Sequence, residues 1–277
     1  MNAIEKSFAE ALALTTTLTG IIDLFDTYAT AHAGTAPAAI KRRTIRALRL
    51  RYGSDPNFLW EAAITFTKSG NPTAEEVGAI VLAELYPYRP KIVTDELKHL
   101  ADSPNWEVRE WAGSALGDVV THHFESVFPA IRPWVQDPSE NIRRALLIAA
   151  MDAASSSNNP VVIHSLLDLL GPLLRDRSPY VQNNLGPFAL GHGFAKHAPD
   201  ALLSWMTRWV AEEDEQVRWN LAMVFSAKNG ADLVYKAQPI LQILSHDTRP
   251  RVQKAWKTAL RTIRKRIPGW DGGEFKG

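Results

Sequence analysis

One short pattern occurs five times in this chain, and its spacing limits the fold more than any other feature. An acidic or small polar loop is followed by a β-branched residue and then by Arg or Gln. The copies are SPNWEVREWA (103–112), DPSENIRRAL (137–146), DRSPYVQNNL (176–185), EDEQVRWNLA (213–222) and DTRPRVQKAW (247–256). Aligned on Val108, Ile142, Val181, Val217 and Val252, they stand 34, 39, 36 and 35 residues apart. That period fits one helical hairpin, and a hairpin that cannot bury its apolar face alone must stack on its neighbours.

Each copy places Asp, Ser or Pro just ahead of a helical segment, where an N-cap or a first-turn proline belongs, and then apolar residues at helical spacing, as in Val108, Ala112, Ala115 and Leu116. These read as the second helices of hairpins. HFESVFPAIRPWV (123–135) and APDALLSWMTRWV (198–210) read as first helices, and no strand-like alternation competes with them. The N-terminal hundred residues follow the same plan less regularly, with helices expected at 3–15, 18–32, 38–52, 56–68, 73–86 and 89–101, as suits a terminal cap. The expected fold is all-α, a right-handed α-α superhelix, or solenoid, of HEAT-like helical repeats. It forms one domain over 1–267, with irregular repeats over 1–100 and regular ones over 101–267. Residues 268–277, which lack periodicity, are expected to be a tail.

A hydrophobic content of 45% with 22% charged residues is enough for a core. With no run of eighteen apolar residues and no basic stretch leading into an apolar block, neither a membrane span nor a secretory signal is expected, and the reading is a cytoplasmic monomer. The absence of cysteine excludes disulfides, thiolate metal sites and a cysteine nucleophile. His122 and His123 are adjacent, point to different faces of a helix and have no partner four residues on, so no metal is expected.

The net charge of +1 conceals segregation. Residues 41–51 carry six bases and no acid, and residues 249–266 carry eight bases and no acid. On a helix Arg42, Arg46 and Arg49 share one face, as do Lys254, Lys257, Arg261 and Arg264. Arg109, Arg143 and Arg144 extend the basic set into the repeats. Such stripes are commonly solvated faces, but on an otherwise acidic chain they also suit the backbone of double-stranded DNA. Asn183 and Asn184 either contact a phosphate or satisfy backbone groups between repeats.

Three stretches carry a family resemblance: LWEAAITFTKSGNPTAEEVGAIVLAEL (59–85), NWEVREWAGSAL (105–116) and DRSPYVQNNLGPFALGHGFAKHAPDALLSWMTRW (176–209). Over about 35–265 the chain resembles the HEAT-like-repeat DNA alkylation repair glycosylases of the AlkD and AlkC types. The resemblance implies a DNA glycosylase that hydrolyses the N-glycosidic bond of alkylated, cationic purines without a cofactor. It places Glu110 at the catalytic carboxylate and Trp106, one helical turn earlier, against the sugar. A carboxylate between aromatic faces would stabilise positive charge developing on that sugar. The same pair also suits a core aromatic beside a solvated acid. AlkD-type members carry a further Trp in the later repeat, whereas residues 182–192 hold Pro187 and Phe188 and no Trp. Trp219 then either supplies the second aromatic wall or packs, and Trp111 adjoins the first. Two other readings stay open: a non-catalytic protein binding bent or branched DNA, and a protein–protein scaffold.

Overall fold

The computed structural model describes residues 3–53 and 55–270, and among them there is no strand. The chain forms two compact units, Met1–Ala130 and Ile131–Gly277.

The first unit contains α1 (Ala3–Leu14), α2 (Leu18–Thr27), α3 (Ala38–Tyr52), α4 (Pro56–Thr67), α5 (Pro72–Glu84), α6 (Pro90–Ala101) and nearly all of α7 (Trp106–Ile131). Proline in the first turn and a side-chain cap start α4 and α5: Asp55 accepts from the N–H groups of Asn57 and Phe58, and Asn71 accepts from that of Ala74. Arg51 closes the other kind of helix end, donating to the carbonyls of Leu12 and Thr15 at the end of α1 at 2.7 and 2.8 Å. Helix α4 packs on α5, α3 on α1, α4 and α5, and Phe8, Phe25 and Phe66 fill the space between.

Two helices of this unit differ from the sequence expectation. Helix α2, expected to reach residue 32, ends at Thr27. The following loop turns through Ala33 (φ 54°) and Gly34 (φ 68°) and is pinned from α7's side by Asn105, whose side chain donates to the Ala33 carbonyl at 2.8 Å. Helix α7 breaks at His123, where φ is −135° and ψ is 35°. The break falls where the sequence starts a new first helix.

The second unit begins with a 3-10 turn (Arg132–Gln136) and continues with α8 (Glu140–Ser156), α9 (Pro160–Leu170) and a 3-10 turn (Gly171–Arg175). Then come α10 (Pro179–Asn184), a π-helix (Leu185–Phe194), α11 (Ala195–His197), α12 (Pro199–Val210), α13 (Glu215–Val224), α14 (Lys228–Ala231), α15 (Gln238–His246) and α16 (Pro250–Arg266). First helices touch in series, α9 to α12 to α15, and second helices do the same, α8 to α10 and its π-helix to α13 to α16. This two-layer succession makes the unit an all-α solenoid of stacked hairpins.

The repeated pattern has a structural meaning. Its β-branched residue is buried in all five copies. The Arg or Gln that follows reaches back to the carbonyl six residues earlier: Arg109 to Ser103, Arg143 to Asp137, Gln182 to Asp176, Arg218 to Glu212 and Gln253 to Asp247. One side chain thus ties each loop to the helix it leads into. Neighbouring repeats are joined by Arg143, which pairs with Asp176 at 2.6 Å, and by Arg218, which pairs with Asp247 at 3.0 Å.

The π-helix occupies the stretch that holds Pro187. Proline has no N–H for an α-helical bond and its ring would clash with the carbonyl four residues back, so the wider winding relieves both. Its glycines allow close packing: a Cβ on Gly186 would lie 2.6 Å from the Asn220 carbonyl, and one on Gly191 would lie 2.5 Å from that of Val224. Past α16, Trp270 is buried, so the expected tail contributes a packed ring at its start. Residues 271–277 lie outside the described residues. No described helix is long and apolar enough to cross a membrane.

Candidate functional site

Helix α16 buries Val252, Ala255, Trp256, Ala259 and Ile263, and so turns Lys254, Lys257, Arg261 and Arg264 outward. Lys265 is exposed as well. None of these five has an ion-pair partner among the described residues. Several other exposed cations of the unit are instead matched across repeats: Arg175 to Glu212 (2.6 Å), Arg208 to Asp168 (3.0 Å), Lys236 to Asp200 (2.9 Å) and Arg266 to Asp232 (2.7 Å). Beside the stripe lies a cleft of about 590 Å³ lined by Lys228, Arg261, Thr262, Lys265 and Arg266, with no carboxylate among the described residues of its wall. The hydroxyl of Thr262 is already committed to the Ser226 carbonyl at 3.1 Å and Arg266 to Asp232, whereas Lys228, Arg261 and Lys265 have no carboxylate partner among the described residues.

The basic stretch of α3 divides differently. Arg42 and Arg46 are exposed, have no ion-pair partner among the described residues, and line a groove of about 260 Å³ with Glu5, Ala39 and Arg43. Arg49 instead pairs with Glu84. Lys41, on the opposite face of α3, is fully buried.

Other expected DNA contacts are used inside the fold. Arg109 donates to the Ser103 and Pro104 carbonyls at 2.8 and 3.1 Å. Arg143 donates to those of Asp137 and Pro138 and to Asp176. Arg144 is buried, its guanidinium 5.0 Å from the centre of the Tyr180 ring. Asn184 donates to the Tyr180 carbonyl one turn back at 2.7 Å, a bond internal to the helix. For Arg109 and Arg143 the geometry follows from the loop-tying role of the pattern, which the sequence showed as a recurrence without showing its target.

Around the expected carboxylate, Trp106 opens α7 with 45% of its surface exposed and its ring set edge-on to His32 at 5.0 Å. Glu110 and Trp111 are half-buried. The ring of Trp111 faces Lys41, whose ammonium lies 5.0 Å from the ring centre, 2.5 Å from Glu76 and 2.9 Å from Glu107. Burial pushes the Glu76 carboxyl up to about 7. Burial pushes Glu107 the same way, but hydrogen bonds from Thr35 and Lys41 overcome it and hold that group below the ordinary value. The sequence reading missed this cluster, because nothing in a run of bases distinguishes the one lysine that turns inward except its place on the apolar side of α3.

Trp219 is half-buried, and the Arg251 guanidinium lies 5.1 Å from its ring centre while donating to Gln182 at 2.7 Å. Tyr180 and Arg251 were also missed. Their signal is positional: both stand one residue before the aligned valine, and each meets the residue two after the aligned position in the preceding repeat, Arg144 and Trp219. Positions three apart share a helix face, so both pairings fall at the same register between neighbouring repeats.

Residues 94–172 match the family model for HEAT repeats, which covers less than a third of the chain. No curated protein matches the chain. Among solved structures, an engineered protein is 16% identical, with 96% of this chain and 98% of its own covered and a TM-score of 0.32. A designed armadillo repeat protein in complex with the peptide (KR)4 is 19% identical, with 73% and 97% covered and a TM-score of 0.31. The HEAT-type repeats and the all-α architecture stand on the family match and on the helices themselves.

Proposed function

We propose that this helical-repeat protein binds DNA along its phosphate backbone, with α16 as the main contact. The supporting observation is the stripe of Lys254, Lys257, Arg261, Arg264 and Lys265, exposed and unmatched by carboxylates in a unit that pairs several of its other surface cations. Unmatched cations in a row release phosphate counterions on binding, which gives affinity without sequence preference. The triple variant Lys254→Glu, Lys257→Glu, Arg261→Glu should weaken duplex binding by at least about tenfold. Lys236→Glu, which alters an exposed cation already paired with Asp200, should leave it within about twofold. Equal affinities in fluorescence anisotropy for the triple variant and the wild type would remove α16 from the interface.

A second reading adds catalysis. It is favoured by the exposed ring of Trp106 one turn ahead of Glu110, the arrangement suited to a cationic sugar. Base release from DNA bearing N7-methylguanine, lost in Glu110→Gln, is the expected result. Absence of release by the wild type leaves the protein as a binder only.

A further inference from the structure

The stripe on α16 does not end at Lys254. Arg251 lies one turn earlier, is exposed, and falls within the same half of the helix as Lys254, Lys257 and Arg261. From Arg251 to Arg264 the cations span about 20 Å of helix at 1.5 Å per residue. At the N-terminal end of that row the cation sits over an aromatic ring, that of Trp219. Arg251 has no carboxylate partner among the described residues; its guanidinium donates to the neutral amide of Gln182. Tyr180 with Arg144 shows the same guanidinium–ring pairing two repeats earlier, at the same positions of the pattern.

A duplex has no use for such an end. Its bases are stacked inside the helix, so a backbone lying along α16 would meet Arg251 as one more charge and Trp219 not at all. An unpaired base has two free faces and stacks on aromatic rings and on guanidinium planes alike. The amide of Gln182 holds the Arg251 side chain beside the ring, so the platform is ordered before a ligand arrives.

Resting on the proposal that α16 binds the DNA backbone, we infer that Arg251 and Trp219 form a stacking platform for an unpaired base, so that the preferred ligand is DNA with single-stranded or bulged nucleotides. Phosphates follow the stripe and the base leaves the backbone at Arg251. Selection against intact duplex arises because only an unpaired base reaches the platform.

The test measures anisotropy of labelled oligothymidylate and of a fully paired duplex of equal length with the full chain, and of polyglutamate as a plain polyanion. Expected are tighter binding of oligothymidylate than of duplex, and a loss of about tenfold for oligothymidylate alone in Trp219→Ala. Trp219→Phe, which keeps a ring, should retain most of that affinity, and Arg251→Gln serves as the second probe should Trp219→Ala lose its helical signal. The platform is overturned if wild type binds duplex as tightly as oligothymidylate, if the variants lower both equally, or if polyglutamate binds as well as oligothymidylate. Failure to bind any DNA at low salt would instead overturn the α16 proposal on which the platform rests.

Discussion

Arg143 serves two loops with a single guanidinium. Nη1 satisfies the Asp137 and Pro138 carbonyls of its own loop, while Nε and Nη2 grip Asp176 of the next at 2.6 and 3.2 Å. The Asp176 side chain is 6% exposed, so removing the arginine strands a carboxylate with little access to water. Arg143→Ala should cost about 3 kcal/mol in urea unfolding and leave DNA affinity within about twofold. The α16 substitutions should do the reverse. Asp247 has the matching role in a later repeat, where Arg249 chiefly, with Arg218 beside it, holds its carboxyl far below the usual range. Stability from that group is complete above the ordinary carboxylate value and is lost as the pH falls through the depressed one.

Glu76 has the opposite sign. Its pKa in the folded chain, near 7, lies above the unfolded value of 4.5. Folded protein therefore holds more protons than unfolded protein between those values, and this group's contribution declines as pH rises through that window. Lys41 and Glu107 face it from α3 and α7, and Glu75 adjoins it on α5. Glu76→Gln removes the titration. The stability of wild type minus that of the variant should fall from pH 5 to pH 7.5 in urea midpoints, and a difference that rises would contradict the assignment.

At the scale of elements, the π-helix Leu185–Phe194 shows what sequence reading reaches and what it does not. The hairpin period, the buried valines and most helix limits were legible, because caps, prolines and apolar spacing act locally. The early end of α2 was not, since the loop after it is fixed by Asn105, far away in sequence. The π winding was likewise hidden: Pro187 and the glycines advertise irregularity, but the close approach of α13, which the glycines at 186 and 191 accommodate, is a contact distant in sequence. Gly191→Ala would press a methyl group against the Val224 carbonyl and the Ala227 Cβ, neither of which can swing aside, and should cost about 1–3 kcal/mol in chemical denaturation. Gly193→Ala meets the side chain of Met151, which can move aside, and should cost less. Equal losses would mean that α13 yields as readily as a methionine. At the candidate site, the α16 stripe was legible from charge alone, whereas Arg109 and Arg143 share the same charge and serve the fold. Only their hydrogen-bond and ion-pair partners distinguish them.

For the whole molecule, the net charge of +1 predicts little, and the distribution of unmatched charge predicts a ligand. Across the second unit several acids and bases hold one repeat to the next, and the row of unmatched cations along α16 is the surface proposed to bind a polyanion. The expected scaffold alternative also uses a stack of hairpins, but it gives no reason for that remainder. The most direct measurement is the salt dependence of duplex binding between about 50 and 200 mM. Five phosphate contacts predict a slope of log affinity against log salt of about −4.5, reduced by about 3 in the Lys254→Glu, Lys257→Glu, Arg261→Glu variant. A slope near zero, or one unchanged in that variant, would contradict α16 as the DNA-binding element.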